Sequence, residues 1–140
     1  LMPVHTRELR FSTTARTDVI DITPEVTRLL GETPVRQGLC VLFVPGSTGA
    51  LTTIEHESGV LEDLARAIDR IAPESIPYAH DARWGDGNGY SHVRAALIGP
   101  SLHIPVIDGM LALGRWQQIV LLDFDNRPRE RRVLAQFHGD

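Results

Sequence analysis

Two imidazoles, a carboxylate and a carboxamide lie within thirteen residues: His80, Asp86, Asn88 and His92. Tyr78, Trp84 and Ser91 stand among them, and Gly85, Gly87 and Gly89 alternate with the polar side chains. Neutral imidazole binds Zn, Fe, Ni or Cu well, and a carboxylate completes such a site. The same rings carry protons, because imidazole titrates close to working pH. Glycines let the backbone turn sharply and come close to a ligand. The cluster therefore predicts a metal or ligand site on His80, His92 and Asp86. It contains no His-Glu-x-x-His and no cysteine pair, so its spacing matches no zinc signature. The alternative is a polar loop whose histidines cap a helix or bond backbone carbonyls.

Other groups invite the same question. Glu55-His56-Glu57 closes a strand candidate, where Glu55 and Glu57 would share one face and His56 the other. Glu55 is expected to face the site as base or ligand, and Glu57 to be a solvated strand end. Gly46-Ser47-Thr48-Gly49 follows an apolar run, and its backbone N–H groups could cradle an anion. It lacks the Walker spacing and the lysine. Gly85-Asp86-Gly87-Asn88-Gly89 is no dinucleotide fingerprint and no EF-hand loop. Arg127, Arg129, Arg131 and Arg132 can each grip phosphate bidentately. Asp123, Asp125 and Glu130 lie between them, so a solvated face laced with ion pairs is expected there. Arg83 and Arg94 flank the histidine cluster and are the expected phosphate clamps. His5, His103 and His138 stand apart and read as surface or packing residues.

The basic residues number 14, and all are arginine. A chain without lysine has no Schiff-base lysine, no pyridoxal-phosphate anchor and no P-loop lysine. With 18 acidic residues the net charge is −4, which leaves no basic footprint for nucleic acid. Cys40 is the one cysteine and sits in an apolar run, so it reads as an inert core thiol. No apolar stretch reaches 18 residues and no signal-type start is present, so no membrane partner and a cytoplasmic location are expected. A length of 140 residues and 42% hydrophobic content suit a single globular domain.

The elements that must position these groups follow from periodicity. Residues 5–14 alternate weakly, and 18–22 form a short strand candidate. Thr23-Pro24-Glu25 starts a helix, with Thr23 as cap and Pro24 at the first helical position, running to about Leu30. Leu39 to Val44 is fully apolar and reads as a buried strand. Leu51 to Glu57 is another. Ser58 to Ala72 carries one apolar stripe of Val60, Leu61, Leu64, Ala65, Ile68 and Ile71, with Ser58 as cap. Residues 74–91 read as a long polar loop. A short helix over 91–98 and strands over 102–107, 116–124 and 131–137 complete the order β-β-α-β-β-α-α-β-β-β. The predicted class is α+β, a β-sandwich-like core of mostly antiparallel strands with flanking helices.

Read together, these residues resemble the YjbQ-like family, also called UPF0047, whose members include proteins named secondary thiamine-phosphate synthase enzyme. The carriers are Val44-Pro45-Gly46-Ser47-Thr48-Gly49-Ala50-Leu51-Thr52 with Glu55, Tyr78-x-His80, and Gly85-Asp86-Gly87-Asn88 with Ser91-His92. Ile104-Pro105-Val106 with Gly109, Leu113-Gly114-x-Trp116-Gln117, and Phe124-Asp125 with Arg129 and Arg131 extend it. The resemblance implies one domain over 1–140, assembled as a homotrimer. It implies a polar metal or anion pocket near a subunit boundary, on Glu55, His80, Asp86, Asn88 and His92. The name implies weak joining of a pyrimidine diphosphate to a thiazole phosphate, with release of pyrophosphate. Many members carry a histidine directly after the first-loop proline, where this chain has Gly46, so one ligand or acid–base group is missing.

Three functions follow. The first is a transferase of the thiamine-phosphate synthase type. There Mg²⁺ on Asp86 or Glu55 would neutralise the leaving group, and Arg83 or Arg94, Ser47, Thr48 and Asn88 would hold phosphate. His80, His92 and Glu55 would be the catalytic groups. The second is a non-enzymatic trimer that binds a small phosphorylated or anionic ligand. The third is metal-assisted hydrolysis, with Zn²⁺ or another divalent ion on His80, His92 and a carboxylate.

Overall fold

A computed structural model describes residues 2–140. In chain order the elements are β1 (Val4–Ser12), β2 (Asp18–Asp21), α1 (Thr23–Gly31), β3 (Gly38–Phe43), β4 (Gly49–Ile54), α2 (Ser58–Ile71), α3 (Ala79–Trp84), α4 (Gly89–Ile98), β5 (Ser101–Ile107), β6 (Met110–Leu111), β7 (Gln118–Asp123) and β8 (Glu130–Gly139). Every strand pair is antiparallel. Five strands form one sheet in the order β1-β8-β3-β5-β6, and three form a second in the order β2-β7-β4. The predicted α+β class with a mostly antiparallel sandwich-like core is the one observed.

The apolar pattern of each strand fixes its layer. β8 alternates, burying Val133, Ala135 and Phe137 on one face. These meet Leu9 of β1, Cys40 and Leu42 of β3, and Ile104 and Val106 of β5 in the main core. Ile119 and Leu121 of β7 close that core from the smaller sheet, with Val26, Leu29 and Leu30 of α1 beside them. The other face of β7 sends Val120 and Leu122 toward α2 and α4, where they join Ala50, Ile68, Ala95 and Phe124. A strand covered on both faces needs apolar residues at every position, which is why 119–122 is unbroken. The molecule is thus a large sheet, a small sheet and a helical layer, stacked in that order.

Several element ends differ from expectation for identifiable reasons. Thr23 lies inside α1 and Ile22 is the cap residue. The Thr23 hydroxyl oxygen instead accepts a hydrogen bond from the Ile119 backbone N–H at 2.8 Å, which ties the helix start to β7. Glu57, rather than Ser58, caps α2 by accepting from the N–H groups of Gly59 and Val60. Those two bonds hold the Glu57 carboxyl below the usual carboxylate range. β4 ends at Ile54, because the chain must turn there to enter α2. The segment over 74–91 is no open loop: it contains α3, and α4 begins two residues before the predicted start. α3 buries none of its residues, so it has no apolar stripe to read. β6 has only 2 residues and carries no periodicity.

Candidate functional site

The two sheets of the sandwich separate at one end, and polar residues replace the apolar core there. Asp123 ends β7 on the same side as Ile119 and Leu121. Arg131 opens β8 on the same side as Val133, Ala135 and Phe137. Strand alternation therefore drives a carboxylate and a guanidinium into the intersheet space. Asp123 is 0% and Arg131 8% exposed. Arg131 donates from Nε to Asp123 Oδ2 at 3.1 Å and from Nη2 to Asp123 Oδ1 at 3.2 Å. Its Nη2 also donates to Thr48 Oγ1 at 2.5 Å.

Asp125 is the hub of this network. Its Oδ2 accepts from Arg129 Nε at 2.7 Å and from Thr48 Oγ1 at 3.1 Å. Its Oδ1 accepts from the Asn126 backbone N–H at 2.8 Å and from Asn88 Nδ2 at 3.2 Å. Burial alone would push this carboxyl up; the bonds from Asn88, the Asn126 backbone, Arg129 and Thr48 outweigh it and hold it down at about 2. The site thus rests on two carboxylates and two guanidiniums that neutralise each other.

The imidazoles attach to this base through Asn88. Its Nδ2 faces Asp125, and its Oδ1 lies 3.1 Å from His80 Nε2. That nitrogen also lies 3.0 Å from Asp86 Oδ1. The His92 ring sits beside His80, with centroids 4.4 Å apart. Local chain geometry makes this possible. Gly85 and Gly87 adopt left-handed φ values of 71° and 70°, which lets α3 stop and α4 start within four residues. A Cβ on Gly89 would meet Tyr78 Cβ at 2.6 Å, so only glycine allows the two helices to approach. Asp81 Oδ1 accepts the Gly89 N–H at 2.8 Å, and Asn126 Nδ2 donates to the Asp86 carbonyl at 2.9 Å.

Between these walls lies a cleft of about 620 Å³. Its lining comes from the Gly46–Thr48 turn, from His80, Trp84, Asp86, Asn88 and His92, and from Asn126, Arg127, Arg129 and Arg131. The expected residues Ser47, Thr48, His80, Asp86, Asn88 and His92 are brought together here. Three others are not. Glu55 follows the far end of β4, where Ile54 pairs with Gln118 while Gly49 pairs with Asp123. Those five strand steps span about 17 Å, so Glu55 is an exposed residue far from the cleft. Arg94 is buried on the opposite side of α4. It donates from Nε to the Ala72 carbonyl at 2.9 Å and lies over the Tyr90 ring at 5.0 Å. Arg83 is exposed over Trp84, 5.9 Å from the ring centroid, and does not line the cleft. The cationic wall is instead Arg127, Arg129 and Arg131, the arginines read as a solvated face. The expected ion pairs are present, Arg129 with Asp125 and Arg131 with Asp123, but on buried carboxylates rather than in solvent. Arg127 is exposed, and Arg132 is exposed and pairs with Glu8 at 3.3 Å. The signal that separates them is the β8 alternation, which puts Arg131 on the apolar parity and Arg132 off it.

One ligand atom each from His80, Asp81 and Asp86 lies within 4.8 Å of the others. The Asn88 carboxamide oxygen adds a neutral donor on the same His80 nitrogen. His92 stands next to this set rather than within it. These donors fit a divalent cation, and the imidazole favours a transition ion over Mg²⁺, which prefers oxygen. The cleft could also take an anion directly, on Arg127 and the free edges of Arg129 and Arg131.

The fold and site define a small α+β sandwich whose open end carries an arginine-walled, imidazole-bearing cleft. The chain belongs to the UPF0047 family: the family model described as UPF0047 protein YjbQ-like matches residues 7–140. A UPF0047 protein of Archaeoglobus fulgidus is 40% identical over 129 residues, covering 92% of this chain and 98% of the relative. The UPF0047 protein YugU of Bacillus subtilis is 33% identical over 135 residues, covering 95% and 98%. The crystal structure of a YbjQ-like protein of unknown function from Sulfolobus solfataricus P2 superposes with a TM-score of 0.94. It is 30% identical, with 100% of both chains covered. None of these names carries an activity.

Proposed function

We propose that the cleft binds a small phosphorylated ligand and acts on it as a transferase of the thiamine-phosphate synthase type, weakly joining a pyrimidine diphosphate to a thiazole phosphate with release of pyrophosphate. The observation that carries the reading is the gathering, around one cleft of about 620 Å³, of three arginines and two imidazoles. Arg127 makes no ion pair among the described residues, and Arg129 uses its Nε on Asp125, which leaves its Nη groups for phosphate oxygens. The Ser47–Thr48 turn lies beside Arg131, whose Nη2 donates to the Thr48 hydroxyl oxygen, and Ser47 adds a hydroxyl to the same lining. His92, which stands outside the candidate metal set, would give a proton to the departing diphosphate. A divalent ion on His80, Asp86 and Asn88 would supply charge neutralisation for that leaving group.

The chain is proposed to work as a homotrimer in the cytoplasm. Self-association is supported by the outer face of the large sheet, where Phe43, Ile107 and Met110 are exposed with no helix over them. A non-enzymatic anion-binding role is favoured by one observation: the two buried carboxylates and two of the arginines are already satisfied by each other, as in a rigid binding frame.

The test is divalent-metal-dependent thiamine-phosphate formation by pure protein, with His80→Ala as control. The transferase reading expects formation above background that the substitution abolishes. Equal background rates from both proteins refute it, and saturable phosphate binding without turnover then selects the non-enzymatic reading.

A further inference from the structure

A second hollow of about 390 Å³ opens off the arginine cleft and shares Gly46, Ser47 and His92 with it. Its remaining walls are Gly49, Ala95, Ala96 and Pro100. No charged residue lines it. Apart from the shared His92, no wall side chain is larger than proline. The sequence explains the shape. His92, Ala95 and Ala96 are spaced i, i+3 and i+4 on α4, so they form one stripe on one face. Two alanines one turn beyond the imidazole leave the space that longer side chains would fill. The facing wall is the Gly46–Gly49 turn, which is held close to Arg131: a Cβ on Gly46 would lie 2.8 Å from its Nη1. Concave sites that join an apolar volume to a few convergent polar groups are the usual form of small-molecule pockets.

We infer that this hollow is a subsite for a compact uncharged ring, carried by a ligand whose phosphate sits in the arginine cleft. The inference rests on the phosphate reading above and adds the place where the ligand's ring sits. Charge separation supports it: the cations line one chamber and none lines the other, so a ligand charged at both ends does not match. Continuity supports it too, because the two chambers meet at His92 and one small molecule can span them.

The experiment is calorimetric titration of inorganic phosphate and of phenyl phosphate into the wild-type chain, Ala96→Leu and Ala96→Ser. Ala96 is exposed on a helix, so leucine there leaves folding intact. The wild type is expected to bind phenyl phosphate about tenfold more tightly than phosphate, a ratio worth about 1.4 kcal/mol. That ratio falls to near unity in Ala96→Leu and survives in Ala96→Ser. Phosphate binding with a ratio of one in the wild type overturns the subsite alone. A ratio untouched by leucine does the same. Absence of any phosphate binding overturns the phosphate reading and the subsite with it.

Discussion

Replacing Arg131 with methionine removes the guanidinium that bonds both oxygens of Asp123, at 3.1 and 3.2 Å. Asp123 is 0% exposed, so water does not take over. Thr48 also loses the donor on its hydroxyl oxygen. Asp125 keeps Arg129, so the damage centres on Asp123. Breaking a buried ion pair from one side costs about 3–5 kcal/mol, because the partner charge stays buried and alone. For a chain of this size that lowers Tm by roughly 10–15 °C. The neighbouring Arg132 supplies the control. It is the next residue on the same strand, but its side chain is 52% exposed and its pair with Glu8 is a surface one. Arg132→Met should cost under about 1 kcal/mol. Urea and thermal unfolding followed by circular dichroism measure both. Adding Asp123→Asn to Arg131→Met should restore part of the loss, since it deletes the stranded charge. Equal destabilisation by the two single substitutions, or no rescue by the double, would refute the intersheet network as described.

Asp125 titrates near 2 in the folded chain, below its unfolded value near 3.8. Its contribution is therefore complete above about pH 4 and lost as pH falls toward 2, a change of about 2 kcal/mol in acid unfolding; Asp125→Asn should flatten that part of the stability profile, and an unchanged slope argues against it. Cys40 is buried and its thiol is pushed up to about 12, so native protein should resist thiol reagents at pH 8 and react only when unfolded; labelling at the rate of a free thiol contradicts that. Glu55→Gln should leave ligand affinity within twofold of wild type, because Glu55 lies beyond the far end of β4. A large loss would put it back in the site.

The fold was legible where burial leaves a periodic trace. The unbroken run 119–122 marks a strand covered on both faces, and the stripe on 58–71 marks a helix packed on one. α3 left no such trace, being short and without a buried residue. Of the site, the histidine cluster was readable because its members lie close in sequence. The arginine wall was not, because its role depends on which strand face each residue takes. Between Arg131 and Arg132 the residue type is the same, and only the pleat decides that one is buried beside Asp123 and the other solvated. Arg94 misled for the converse reason: it lies near His92 in sequence but on the opposite side of α4, against Ala72 and Tyr90.

Phosphate is received by the arginine-walled cleft, on this proposal, and not by the arginines nearest the histidines in sequence. Calorimetric titration of pyrophosphate into wild type, Arg127→Met and Arg83→Met tests it directly. Binding should be saturable in the wild type, about tenfold or more weaker in Arg127→Met and within twofold of wild type in Arg83→Met. No saturable binding, or a loss in Arg83→Met as large as that in Arg127→Met, would contradict it.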